Sequence, residues 1–359
     1  MQIDFHLAGT YVIARMAGFD HEQARIIGSC AQYVDDAAEN GAVRFHGGYL
    51  YAMYSSAHKM LDYRNFEELA NHRMWIPFHF LPGNNSKELG DGNEDAHIDR
   101  LLCRPDSAPA REMLRSVILQ GNAPYGLHRL GVAMHVYADT WAHQGFAGVI
   151  HEVNSASNIR QMGSQEADPD MTARVSNFFG DLFDRAGNAL MSSAMPLGHG
   201  AVLSFPDRPY LRWQYENGRG ETVLRDNPTD FMTAADRMCI AMKRFLQGDP
   251  DAQVSGLTDE QSAKLYEMII NTTDESGDDR LEKWKERIRN GDFGFAPAEL
   301  EYDEDAWKPR ALGEAEDGKY HYRPEDFLTS DWKLFHDAAR AHAYSVLYEI
   351  LPMFGIVAA

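Results

Sequence analysis

Apolar residues recur at three-and-four spacing through much of the chain. That period predicts helices over residues 8–17, 22–34, 107–119, 125–145, 177–193, 228–246, 259–271 and 331–351. The helix at 107 opens on Ser107 with Pro109 in its first turn, an expected helix start. Alternating patterns are scarce, and only a short strand pair over 202–205 and 211–215 is expected. Residues 84–95, 160–170 and 293–324 are polar or rich in Gly, Asn, Pro and acid, and are expected as loops. The pattern therefore predicts a mainly α fold, a single multi-helix domain with long loops. Residues 1–250 form its helical metal-binding part, and 251–359 a helical C-terminal extension whose acidic loop packs on the same domain.

Within residues 125–145, His135, Asp139 and His143 are four residues apart, so each step turns them only about 40° around a helix. All three project from one stripe, while Leu130, Val132, Ala133, Met134 and Val136 fill the other faces. The helix is therefore expected to be buried, and burying His, Asp and His is costly unless each is satisfied. A divalent cation satisfies all three at once, and imidazole with carboxylate suits zinc. The bland reading is a core histidine hydrogen-bonded to Asp139. The triple spacing favours the metal.

Composition narrows the chemistry. Three scattered cysteines without CxxC spacing argue against disulfides and against a thiolate site, so metal donors must be nitrogen and oxygen. With 54 acidic against 34 basic residues the formal charge is −20, which disfavours nucleic acid as a partner. The apolar runs are too short to span a bilayer, and the start M-Q-I-D-F-H lacks a secretory n-region, so a cytoplasmic location is expected. No G-x-S-x-G elbow and no H-E-x-x-H helix occurs, which disfavours a serine acyl-enzyme and that form of zinc protease. Elsewhere, His72, the His151–Glu152 pair, and His336 with His342 read as structural or exposed, and Trp141 and Phe146 as core.

The stretch H-V-Y-A-D, preceded by L-G-V-A-M, resembles the metal helix of the zinc-dependent phospholipase C and single-strand-specific nuclease superfamily. The whole chain resembles an uncharacterised bacterial family that branches distantly from it. Supporting stretches are F-H-L-A-G-T-Y-V-I-A-R, Q-Y-V-D-D, W-I-P-F-H-F-L-P-G, A-D-T-W-A-H-Q-G-F-A-G and L-G-H-G near Pro206-Asp207, spanning residues 4 to 215. The resemblance implies two or three zinc ions held by His6, Asp36 or its neighbour Asp35, His79, His135, Asp139, His143 and His199. It makes Asp36 and Asp139 the catalytic bridging carboxylates. In the secreted enzymes the processed N-terminal residue ligates through its amine and carbonyl. Here Met1 starts an unprocessed chain, and Asp4 is the candidate replacement. His143 follows Asp139 by four residues where the better-known enzymes leave six, and Leu203 stands where a Glu ligand is usual, leaving Asp207 as the nearest substitute.

The function so implied is zinc-dependent hydrolysis of a phosphate ester, by hydroxide generated between the metals. The substrate is expected to be a small soluble phosphoester or a lipid headgroup. The alternatives are a non-catalytic metal-binding or interaction protein, and a metal-dependent hydrolase of another bond.

Overall fold

The computed structural model describes residues 1–57, 68–84, 94–162 and 202–358. The chain begins with a π-helical turn, Asp4–Gly9, that runs directly into α1, Thr10–Ala17. Helix α2, His21–Asp36, starts on a capping box in which Asp20 accepts from the Gln23 N–H and the Gln23 side chain accepts from the Asp20 N–H. A hairpin of β1, Gly41–Arg44, and β2, Leu50–Met53, follows, with Val43 opposite Tyr51. Then come α3 (Glu68–Phe78), α4 (Glu94–Leu101) and α5 (Ala108–Leu119), the last capped by Ser107 as its sequence predicts. Helix α6, Gly126–Ala142, is buried along almost its entire length.

After α6 the chain forms an antiparallel three-stranded sheet of β3 (Ala156–Gln161), β4 (Arg212–Asn217) and β5 (Thr222–Asp226), in that order. The remainder is helical: α7 (Asn227–Gln247), α8 (Asp259–Asn271), α9 (Gly277–Asn290), α10 (Trp307–Leu312), α11 (Pro324–Phe327) and α12 (Asp331–Tyr344). A π-helical turn, Ser345–Ile350, and α13, Leu351–Met353, close the described chain. The fold is mostly α with small sheets, and no described helix is long and apolar enough to cross a membrane.

Helix α6 is the axis around which α2, α5, α7 and α12 pack. Two glycines set how closely. A Cβ on Gly131 of α6 would stand 2.5 Å from the Ile27 carbonyl oxygen of α2, and one on Gly28 of α2 would stand 2.7 Å from the Leu7 carbonyl oxygen. Only glycine permits these crossings, which bring the N-terminal turn, α2 and α6 together around one point. The last third packs onto the same body. Arg280 of α9 donates to both carboxylate oxygens of Asp4, at 2.6 and 3.0 Å, and both side chains are fully buried.

Several expectations change. Residues 202–205 are not a strand: they form tight turns, with Leu203 at φ 48°, whereas β4 does cover the second expected strand. The β1–β2 hairpin, α3, α4 and α9 went unpredicted, and α10 lies inside the expected loop 293–324. Helix α9 was hidden by its charge, because Leu281, Trp284 and Ile288 are its only buried apolar side chains. The expected helix over 177–193 and most of the expected loops at 84–95 and 160–170 lie outside the described residues.

Candidate metal centre

His135 and Asp139 face α2 and the N-terminal turn from α6, and His143 caps the helix's C-terminal end. Asp139 is 1% exposed, and its two oxygens meet different groups. Oδ1 lies 2.6 Å from the Met1 amine and 3.2 Å from His6 Nε2. Oδ2 lies 3.2 Å from His135 Nε2, 3.6 Å from His143 Nδ1 and 3.7 Å from His79 Nδ1. Burial alone would raise the Asp139 pKa. The positive character of His143, the terminal amine, His135 and His6 outweighs it and holds the carboxyl well below the usual range.

Backbone carbonyls orient three of the imidazoles. His135 Nδ1 lies 2.7 Å from the Ala31 carbonyl oxygen, His79 Nε2 2.9 Å from that of Ser56, and His143 Nδ1 2.7 Å from that of His79. A carbonyl only accepts, so each of these nitrogens carries the hydrogen, and in a neutral ring the other nitrogen is then a lone pair. Those lone pairs converge. His135 Nε2 and His79 Nδ1 face each other at 3.2 Å, and each lies 3.8 Å from Asp35 Oδ1. His143 Nε2 points toward Asp207 Oδ1 at 3.5 Å.

His6 stacks on His135 with ring centroids 3.8 Å apart, and neither of its ring nitrogens makes a hydrogen bond although the residue is fully buried. Burial, followed by the neighbouring His135 and the terminal amine, pushes its pKa down to about 3. For the Met1 amine the balance runs the other way. Burial would lower it, but the carboxylates of Asp139, Asp207 and Asp35 push it up to about 11.

Lone pairs facing one another and facing carboxylates repel, so this donor set fits a cation between them. The groups His79–His135–Asp139 and His6–Asp35–His135 each bring three donor atoms within 4.8 Å of one another. The carbonyls behind His79, His135 and His143 are the outer partners that metal-binding histidines commonly have. Beside the cluster lies a cavity of about 440 Å³, lined by Met1, Asp35, Trp75, His79, Phe80, Asp139, His143, Asp207 and Asp278 among others. Among the described residues no Lys or Arg lines it. Phe80 stacks on His143 at 4.6 Å and Trp75 lies 5.1 Å from His79, forming its aromatic wall.

Of the residues singled out in the sequence, His6, Asp35, His79, His135, Asp139, His143 and Asp207 come together here. Asp36 does not. Consecutive residues on a helix diverge by about 100°, and Asp36 is turned away to accept hydrogen bonds from Tyr302 and from Gln32, the latter at 3.2 Å. Its burial, together with the nearby Asp35 charge, pushes its pKa up to about 6 against those hydrogen bonds. Asp4 is likewise engaged elsewhere, in its pair with Arg280. His199 lies outside the described residues.

Sequence reasoning set the Met1 amine aside in favour of Asp4, yet the buried N-terminal turn delivers the amine, and not Asp4, to the cluster. No local pattern signals that. His128, seven residues before His135, bonds Asp331 at 3.0 Å, and His151 caps the Val153 N–H. No curated protein and no solved structure matches the chain. A family model does match, across residues 1–350, and the protein belongs to that family, described as a family of unknown function (DUF6765).

Proposed function

We propose that this cluster holds zinc and that the protein is a zinc-dependent hydrolase of phosphate esters. One observation carries the metal: the carbonyl-anchored imidazoles of His79 and His135 turn their other nitrogens toward each other and toward the carboxylates of Asp35 and Asp139, where hydrogen bonds between them leave two lone pairs face to face. Asp139 is the bridging residue, because its two oxygens serve different nitrogen sets. That division supports at least two ions. His79, His135 and Asp139 would hold one, and His6 and Asp35, with the Met1 amine once it gives up its proton, would hold a second. His143 and Asp207 are the donors for a third.

Zinc bound there supplies Lewis acidity, polarising a phosphoryl oxygen and acidifying water to a pKa of about 7. The chain's own residues do the rest. The Ala31, Ser56 and His79 carbonyls hold the imidazoles in one tautomer and orientation, so no reorganisation is needed when substrate arrives. Asp35, with its side chain 34% exposed, is the carboxylate at the mouth of the cavity. Trp75 and Phe80 exclude solvent from one wall. Because no Lys or Arg among the described residues lines the cavity, an anionic phosphoester would be repelled by Asp35, Asp139, Asp207 and Asp278 until cations are present.

Phosphate as the reacting group follows from the likeness of the H-V-Y-A-D helix to the phospholipase C superfamily, and the cavity beside the cluster favours catalysis over a closed structural site. The substrate is a small phosphoester or a lipid headgroup. The test is turnover of chromogenic phosphate mono- and diesters by the full chain with zinc, with and without chelator. Chelator-sensitive hydrolysis is expected. Metal binding without hydrolysis of any phosphoester would leave the non-catalytic reading standing, and cleavage of amide substrates alone would move the chemistry to another bond.

A further inference from the structure

A second set of metal donors lies outside the central cavity, where the β1–β2 hairpin meets the acidic segment near residue 320. His46 follows β1 in a tight turn with Gly47 and Gly48, whose φ values of 89° and 90° fix the reversal. The backbone locks this turn to its neighbour. The His46 N–H donates to the Tyr320 carbonyl at 2.9 Å and the Tyr320 N–H to the Arg44 carbonyl at 2.9 Å. Across residues 316–319, Glu316 and Lys319 exchange backbone hydrogen bonds of 2.8 and 3.0 Å. The side chains of His46, Glu316 and His321 are thus presented from two turns tied together by main chain, although they are distant in sequence.

Their geometry converges. The His46 and His321 rings are 4.6 Å apart at 25°, and His321 Nε2 is 3.3 Å from Glu316 Oε2. One donor atom from each of the three lies within 4.8 Å of the other two. His46 Nε2 is shielded from solvent and has no hydrogen-bond partner. An ordinary surface ion pair accounts for His321 and Glu316 but leaves that nitrogen unsatisfied, at a cost comparable to a lost hydrogen bond.

We propose that His46, Glu316 and His321 form a second, peripheral zinc site that clasps the β1–β2 hairpin to the segment around residues 316–321. Two imidazoles and a carboxylate are a borderline donor set suited to zinc, with water completing the tetrahedron. Donors at about 2.0–2.2 Å around a tetrahedral ion are roughly 3.3–3.6 Å apart. Two of the three side chains, His321 at 67% and Glu316 at 72% exposed, are free to swing the short distance required. The half-buried His46, whose Nε2 is shielded from solvent, is the fixed anchor. The clasp is structural: none of its residues lines the central cavity.

The test is equilibrium dialysis of the full chain against zinc, with elemental analysis, on wild type, His321→Gln, Glu316→Gln and Asp139→Asn. His321→Gln, a surface change that spares the core, is expected to lose about one equivalent of zinc while the central equivalents remain. Glu316→Gln is expected to weaken the same equivalent by at least about tenfold. Zinc is also expected to slow proteolytic cleavage near residues 316–321 in wild type and in Asp139→Asn, and not in His321→Gln. Equal zinc content and affinity in wild type and His321→Gln would overturn the proposal. So would zinc-dependent protection that survives in His321→Gln. Because the Asp139→Asn chain keeps this equivalent, failure of the central site and failure of the clasp are separable.

Discussion

Helices α6 and α12 both carry buried histidines anchored to backbone carbonyls, yet the two sets are placed in opposite ways. On α12, His342 Nε2 meets the Pro77 carbonyl oxygen at 3.0 Å and His336 Nδ1 meets that of Tyr54 at 3.0 Å. Their rings pack among aromatics: His342 on Phe78, and His336 on Trp332 and Phe335. Among the described residues neither is ion-paired with a carboxylate. On α6 the same kind of anchoring turns the second nitrogens of His135 and His143 toward acidic side chains and, for His135, toward a second imidazole. Burial and a carbonyl partner are therefore common to both helices and diagnose nothing. Convergence of lone pairs on carboxylates, which α12 lacks among the described residues, is the feature on which the proposed cation site rests.

The strongest way to break this comparison is to alter one residue on each helix. Asp139→Asn keeps the shape but removes the charge that both oxygen faces share. It is expected to lower zinc affinity by more than about 100-fold and to abolish phosphoester turnover, since removing even outer partners costs 10–100-fold. His342→Gln is expected to leave zinc content unchanged. Equilibrium dialysis with elemental analysis reads both.

The buried Asp4–Arg280 pair supplies a third reference, a charge that is satisfied without metal. Asp4→Asn strands the guanidinium and is expected to cost about 3–5 kcal/mol of stability. The Arg280 contacts to the Asp274 and Glu275 carbonyls, at 2.7 and 3.0 Å, offset part of that. Urea unfolding of the two chains measures it. A loss under about 1 kcal/mol would show that the N-terminal turn is held by packing alone.

His336 sharpens the contrast through pH. Burial pushes its pKa down to about 4, below the ordinary 6.5 of the unfolded chain. Its neutral form is favoured in the fold, so its contribution is fully present above pH 6.5 and is lost as pH falls from 6.5 toward 4. The shift corresponds to roughly 3 kcal/mol. His336→Gln is expected to flatten the stability profile across that window relative to wild type, and identical profiles would contradict it. A smaller effect is expected from placing residues ahead of Met1, which turns its amine into an amide beside Asp139. Zinc affinity should then fall roughly 10–100-fold, and unaltered affinity would remove the amine from the donor set.

The α6 stripe was legible because a single helix carries its three donors at a fixed period amid apolar residues. The choice between Asp35 and Asp36 was not. It depends on the rotation of α2, which is fixed by the close crossings at Gly28 and Gly131 and by the Tyr302 hydrogen bond from a segment 266 residues away. The Met1 amine was illegible for a similar reason, since its position is a product of tertiary packing. Among the elements, long amphipathic helices such as α7 and α8 matched their patterns. The short, half-exposed strands of the hairpin and the charged α9 carried too few buried apolar positions to stand out.

The most direct measurement is anomalous diffraction at the zinc edge from crystals grown with zinc. The expected result is a peak about 2.0–2.2 Å from His135 Nε2 and from an Asp139 oxygen, with His79 Nδ1 completing the same ion. Crystals in which those atoms carry no anomalous peak, and instead hydrogen-bond to water or to one another, would contradict the metal centre and the chemistry built on it.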